Sequence, residues 1–406
     1  MGSGNHTLEY KLLSGKPTDE VNIQKFNKYF YDNIILMAPT VRSFGADVSI
    51  KDLLEFVDFH HNLMIFANNK SRKITRDLAN EFGVDFEDIG YTLQGGQAPA
   101  QANQGGFKTR DVAWSSNLFE PLERVFTKLD RPVLIEDGLG SVIDSNKNNQ
   151  HVFPILRADK GSYSFNADAE PRHETGLVSG EQLSVVAGYQ TTYNQRIVLS
   201  GSLEMCSNKA MLANRDPELQ TIQSSPNFIL CTEMVEWNLQ ERGVLRYDNV
   251  RHNKKGDTPD QNNNPENYKR QVDIEYYIDI YQKKGDQWVP FVADDVQFQF
   301  TMLDPYYQVA LEQPDRNSPT FTYSLKTPWR LGIFRFHVDY KRYGLTYIDE
   351  RMEVSVIQLR HDEFPRYETT GYPYYANVFV LMFSTFFFVL YFIASDFRNV
   401  KGVKSS

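Results

Sequence analysis

Residues 376–395, ANVFVLMFSTFFFVLYFIAS, carry no charged side chain. At helical rise, about 20 residues cover roughly 30 Å, the thickness of a bilayer's hydrocarbon core. A soluble core helix of that length needs a polar face, and only Asn377, Ser384, Thr385 and Ser395 offer one. The stretch is therefore read as a transmembrane helix. Tyr372, Tyr374 and Tyr375 lead into it, where amphipathic rings suit headgroup depth. Asp396, Arg398, Lys401 and Lys404 follow it with net positive charge, so the positive-inside rule places the tail, 396–406, in the cytosol. Everything before Tyr372 must then fold in water on the other side. On the span itself, Asn377, Ser384 and Thr385 are the candidates for hydrogen bonds to neighbouring helices.

The opening segment, MGSGNHTLEYKLL, has no basic stretch followed by an apolar run, hence no signal peptide. His6 stands where a myristoylation signal requires Ser or Thr. A lone C-terminal span without a signal describes a tail-anchored protein with a cytosolic body. The charged tail favours a lumenal body instead, with the natural start missing. Two sequons, Asn5-His6-Thr7 and Asn69-Lys70-Ser71, suit that placement and make Asn5 and Asn69 candidate glycosylation sites. Net charge is −9, which offers no basic surface for nucleic acid. Cys206 and Cys231 are the only cysteines. A lumenal body permits a disulfide between them; two free, buried thiols are the alternative.

Residues 1–240 read as an α/β domain with a parallel, Rossmann-like sheet. The expected order is a strand over 7–13, a helix over 21–31, a strand buried on both faces over 34–38, and a helix capped by Ser49 and running to about His61. A buried strand over 63–67 follows, then a helix over 71–82 closed by Gly83. Strands are also expected over 132–136, 183–188 and 196–202, with a closing helix over 228–239. Residues 91–109, rich in Gln, Gly and Ala, read as a disordered loop. Chemistry is sparse. Gly138-Leu139-Gly140 lacks the third glycine of a dinucleotide fingerprint. Ser200-Gly201-Ser202 follows a strand, but a hydrolase would need His151 or His173 to converge on Ser200. His60 and His61 are adjacent on a helix end and point apart.

From residue 243 to 365 the periodicity changes to two, which reads as a β-sandwich-like domain. The strands expected are 272–281, 288–291, 296–302, 321–325, 333–340 and 352–357, with Lys283-Lys284-Gly285-Asp286 as a hairpin turn and 252–268 as an excursion. Asp294-Asp295 is the acidic pair that invites a metal reading, and it is read as turn-forming rather than metal-binding.

Several segments recur in a fixed order: Tyr31-Asp-Asn-Ile-Ile-Leu-Met-Ala-Pro, Leu199-Ser-Gly-Ser-Leu-Glu, Gly243-Val-Leu-Arg, Trp288-Val-Pro-Phe, Asp294-Asp295-Val, Leu303-Asp-Pro, Gly332-Ile-Phe-Arg-Phe-His-Val-Asp-Tyr and Gly371-Tyr-Pro-Tyr-Tyr-Ala. The set resembles the family of the 48 kDa subunit of oligosaccharyltransferase, the endoplasmic-reticulum complex that glycosylates asparagine, over nearly the whole chain. The resemblance implies a type I protein of the endoplasmic reticulum membrane with a lumenal body, no cofactor and a non-catalytic, assembly role. It implies as partners the multi-spanning catalytic subunit, ribophorin-type subunits and a small DAD-type subunit. It also implies a leader and a first strand before Asn5, absent here, and retention through partners, because Gly402 and Val403 interrupt the dilysine pattern ahead of Lys404. A tail-anchored cytosolic adaptor and a lumenal α/β hydrolase are the alternatives.

Overall fold

The structure is a computed structural model that describes residues 6–13, 21–26, 28–45, 48–96, 112–143, 150–166, 179–215, 221–257, 264–364 and 369–403. Asn5, His173, Lys404 and residues 97–109 of the low-complexity segment lie outside these. The first part is built on an eight-stranded sheet. Its strands are β1 (Asn33–Leu36), β2 (Asn62–Phe66), β3 (Val84–Phe86), β4 (Asn117–Leu118), β5 (Ser141–Ile143), β6 (Val152–Arg157), β7 (Ser184–Gln190) and β8 (Arg196–Ser200). The order is β1-β2-β8-β7-β5-β3, with β6 also pairing β7 and β4 pairing β6.

The sheet is mixed, not parallel throughout. Only β1, β2 and β8 run parallel; β7 pairs β8, β6 and β5 antiparallel, and β5 pairs β3 likewise. Connection length explains the change. A helix, α1 (Ile50–Asp58), carries the chain from β1 back to the start of β2, whereas a turn of a few residues joins β7 to β8 and can only reverse direction. Ser49 caps α1 by accepting from the Asp52 N–H, and the Asp52 carboxylate accepts the Ser49 N–H at 2.7 Å. Helix α2 (Lys73–Glu81) turns Leu78 inward and is followed by Gly83 at φ +80°.

Three local expectations fail here. Residues 7–13 form no strand, and Leu8 and Leu12 are exposed. Residues 21–31 form a short hairpin, Gln24–Lys25 against Lys28–Tyr29, instead of a helix. Phe26 adopts φ +52° at its turn and is exposed, so Ile23 is the residue that enters the core. Strand β1 is an edge strand, only half covered, whereas all five residues of β2 are buried. The strand expected over 132–136 forms as Val133–Glu136 but leaves the main sheet and pairs Val112–Ser115 in a separate ribbon.

After β8 come α3 (Asn208–Ala213) and α4 (Pro226–Asn238), the latter opened by a proline at its first position, where no N–H is needed. Leu230, Met234 and Trp237 of α4 are fully buried. A disulfide joins Cys206 to Cys231 and ties the segment after β8 to this helix.

Nine further strands form two facing sheets: β9 (Leu245–Lys254), β10 (Asn267–Lys269), β11 (Asp273–Lys284), β12 (Gln287–Pro290), β13 (Gln297–Thr301), β14 (Pro305–Ala310), β15 (Thr320–Lys326), β16 (Gly332–Tyr340) and β17 (Ile348–Ile357). One sheet is β9-β11-β12 with β15 on β11, and the other is β10-β17-β16-β13-β14. Period-two alternation sends Ile274, Tyr276, Ile278 and Ile280 of β11 inward, against Phe298 and Phe300 of β13 and Phe334 and Phe336 of β16. The Tyr276 ring lies 4.8 Å from Phe298 and 5.3 Å from Phe336, across the two sheets.

Alternate residues of β2 feed different cores. Met64 joins an apolar cluster that continues through Trp237 to Phe298 and Val356, while Leu63 and Ile65 pack with Leu78 on the opposite face. The chain closes with α5 (Tyr372–Val403). The helical stretch Thr369–Ser395, which includes most of α5, contains an 18-residue window of mean hydropathy 2.3 with none of it buried, long and apolar enough to cross a membrane.

Candidate functional site

The densest polar architecture lies where the α/β part meets the sandwich. The chain crosses at Gly243, held at φ +69°. Residues 341–347, between β16 and β17, fold back onto the first part. Trp237 Nε1 donates to the Gly344 carbonyl at 2.8 Å, and Gln190 Nε2 to the Leu345 carbonyl at 2.8 Å. The Tyr347 N–H donates to Asn194 Oδ1 at 2.6 Å, and the Thr346 N–H to the Gly243 carbonyl at 3.0 Å.

Arg196 sits at the centre, with no exposed surface. Its guanidinium donates to the carbonyls of Trp237 at 2.9 Å and Gly243 at 2.8 Å, and to that of Arg242, and it lies 5.1 Å from the Trp237 ring. Trp237 is in the last turn of α4, where helix carbonyls lack partners and the dipole favours a cation. Burial pulls the Arg196 pKa down to about 9, which leaves it charged at neutral pH. Asn238 beside it donates to the carbonyls of Leu63 and Arg196, stitching α4 to β2 and β8.

Two ionic groups flank this hub. The Asp295 carboxylate accepts from Arg342 Nε at 2.9 Å, Arg124 Nη1 at 3.1 Å and the Tyr340 hydroxyl at 3.2 Å. Burial pushes the Asp295 pKa up, but the hydrogen bonds and charges of Arg342 and Arg124 outweigh it, and the net shift is downward. Arg242 pairs with Glu233 at 2.7 Å and Glu236 at 3.3 Å. Between them opens a cleft of about 400 Å³ whose lining mixes Arg124, Arg242, Lys283 and Lys284 with Glu236, Glu241 and Asp286. The opposed charges give it no preference for a ligand of either sign.

Among the described residues, those singled out from sequence do not converge. Ser200 is buried and its hydroxyl donates to the Ser202 carbonyl at 3.0 Å. His151 Nδ1 is 3.0 Å from the Gln190 carbonyl. Ser200 lies opposite Val186 on β7, four residues along from Gln190, a separation of about 13 Å before the width of the sheet is added. His151 is therefore not a base for Ser200, and His173, the other candidate, lies outside the described residues. His60 bonds Gln195, and His61 stacks on Phe56 with centroids 4.4 Å apart. Asp294 faces Arg316 at 3.3 Å. Among the described residues, no group of three or more His, Cys, Asp or Glu could hold a metal ion.

The Asn69 sequon is closed into a turn. Asn69 is only half-exposed; its amide donates to Asp137 at 3.4 Å, its side-chain oxygen is buried, and Ser71 is 1% exposed. A glycan on Asn69 Nδ2 would have to displace Asp137. On α5 the Ser384 and Thr385 hydroxyls both donate to the Leu381 carbonyl, at 2.9 and 2.8 Å. Their protons are spent inside the helix, so they offer a neighbour acceptor lone pairs only. Asn377 is exposed.

Sequence reasoning missed Arg196, Arg124, Trp237 and the loop 341–347. The one available signal was a lone arginine heading an otherwise apolar strand, Arg196-Ile-Val-Leu.

Residues 3–241 match the family described as OST48, N-terminal domain, and residues 252–396 match OST48 middle domain. The dolichyl-diphosphooligosaccharide–protein glycosyltransferase 48 kDa subunit of Caenorhabditis elegans is 32% identical over 385 residues, covering 94% of this chain and 84% of its own length. The proteins of the same name from Danio rerio and Arabidopsis thaliana are 30% and 29% identical, each covering 94% of this chain and 85% of its own.

Proposed function

Because this chain belongs to the OST48 family, we propose that it is an accessory subunit of the oligosaccharyltransferase complex, which moves glycan from a dolichol-diphosphate donor to asparagine in N-x-S/T sequons, and that a different subunit makes the bond. One observation supports the accessory role above the others. Two charged groups at the heart of the molecule bond across the junction, Arg196 to the Gly243 carbonyl and Asp295 to Arg124, while Glu233 holds Arg242 beside the crossing. The body is then a rigid platform, 1–240 with 243–365, tethered by the span 376–395.

The orientation follows from charge. Arg398, Lys401 and Lys404 behind the span favour a cytosolic tail and a lumenal body in the endoplasmic reticulum. The Cys206–Cys231 disulfide fits an oxidising lumen. The partners proposed are the multi-spanning catalytic subunit, ribophorin-type subunits and a DAD-type subunit, met through α5 and the body.

Affinity purification of the tagged chain in mild detergent tests the reading. The expected result is co-purification of a multi-spanning subunit together with glycosyl transfer to an acceptor peptide, and loss of transfer when the chain is isolated alone. Transfer by the isolated chain overturns the accessory role. Digestion of the body by protease added outside sealed microsomes overturns the orientation.

A further inference from the structure

One end of the sandwich is unusually apolar. Leu303 is 94% exposed, Trp329 and Ile333 63% each, with Ile357, Leu331 and Met302 at 43–45%. Single exposed apolar residues need no explanation, but a contiguous group does. Three of these are neighbours by register. Gly332 pairs with Val356, which places Leu331 across from Ile357 and Ile333 diagonal to it. Met302 reaches the same end of the strand, since a Cβ on Gly332 would meet its methyl at 2.7 Å. Leu303 forms the tip of the turn between β13 and β14, beside it.

The same end is where the chain leaves for the membrane. Strand β17 finishes at Ile357, and the segment that follows is pinned back onto this tip. The Arg270 guanidinium lies between two rings, 4.8 Å from Trp329 and 5.3 Å from Phe364. Lys269 pairs with Glu363. From Phe364 to Tyr372, the first residue of α5, is eight peptide units, which reach at most about 29 Å when fully extended. The tip therefore cannot be held far from the bilayer that α5 crosses.

We propose that this tip of the sandwich seats on the membrane surface itself, with Trp329, Leu303 and Ile333 entering the headgroup layer of the leaflet from which α5 descends. The chemistry fits a lipid interface. Trp and short aliphatic side chains, with Arg330 and Lys326 alongside, are the mixture that partitions to headgroup depth. Asp304 on the same turn keeps the local charge mixed, so the attachment rests on apolar contact rather than on attraction to anionic lipid. A span plus a seated tip gives the body two points of attachment and a fixed tilt, which a single tether cannot. This inference rests on α5 being the span.

The test uses the full chain reconstituted in phosphatidylcholine vesicles. Both native cysteines are consumed in the disulfide, so a single introduced cysteine can be labelled with an environment-sensitive fluorophore. Three variants are compared: Leu303→Cys at the tip, Tyr193→Cys on the β7–β8 turn of the α/β part, and Phe387→Cys in the span. Lipid carrying a headgroup-proximal quencher is expected to remove most of the Leu303 emission and to leave the Tyr193 emission unchanged. An aqueous, unquenched Leu303 label beside a lipid-embedded Phe387 label overturns the proposal and leaves the span intact. A Leu303 label that becomes shielded only after partner subunits are added also overturns it, and assigns the tip to a protein. An aqueous Phe387 label removes the span and the proposal together.

Discussion

Two buried residues set the behaviour of the body. Arg196 stays charged in the core because three carbonyls and the Trp237 ring replace its water. Arg196→Met is expected to cost about 3 kcal/mol, since those three buried carbonyls lose their charged donor. The denaturant midpoint of the purified chain reads this, and a change under about 1 kcal/mol contradicts the account. His252 is the opposite case. It packs against Phe336, accepts from or donates to the Tyr268 hydroxyl at 2.7 Å, and burial pulls its pKa from 6.5 to about 4. Between those values the unfolded chain binds a proton that the folded one refuses, so stability falls as pH drops through the window. The loss expected by the lower end is about 3 kcal/mol. His252→Asn should flatten the dependence, measured as denaturant midpoints across that range. Neither role was legible beforehand. An arginine heading a strand and a histidine within one look the same in sequence whether they face water or core.

At the scale of elements, the crossing at Gly243 is the sharpest constraint. It combines φ +69° with a Gly344 carbonyl 2.5 Å from where a Cβ would sit. Gly243→Ala is expected to cost about 2 kcal/mol or more, the left-handed strain plus displacement of the loop 341–347. Gly285 provides the control. Its φ is +59° at the β11–β12 turn, but nothing lies within 4 Å of an added Cβ, so Gly285→Ala should cost only about 1 kcal/mol. Equal costs at the two positions would mean that the close approach carries no energy. Helices with a cap and a sustained apolar stripe, α1 above all, stood where their sequence placed them. The hairpin at 24–29 did not, because Val21, Phe26, Tyr29 and Phe30 at near-helical spacing do not outweigh one residue, Phe26, that reverses the chain.

For the whole molecule, the α/β part and the sandwich share a core. The apolar cluster through Met64, Trp237, Phe298 and Val356 crosses the junction without interruption. The body is therefore expected to unfold in one calorimetric transition, and two separated transitions would show that the junction is weaker than its packing implies. The sequence alone determined the membrane helix, since about 20 apolar residues without a charge have one stable environment. It also determined the sandwich, because period-two alternation states which side of each strand is buried. It could not determine the order and direction of strands in the first sheet, which depend on how far apart in the chain two strands lie before they meet. Nor could it reveal the hub at Arg196, whose three carbonyl partners come from residues 41 to 47 positions along the chain. Such a site exists only once α4, β8 and the crossing at Gly243 are brought together, and the burial that gives Arg196 its role is a property of that assembly rather than of any segment.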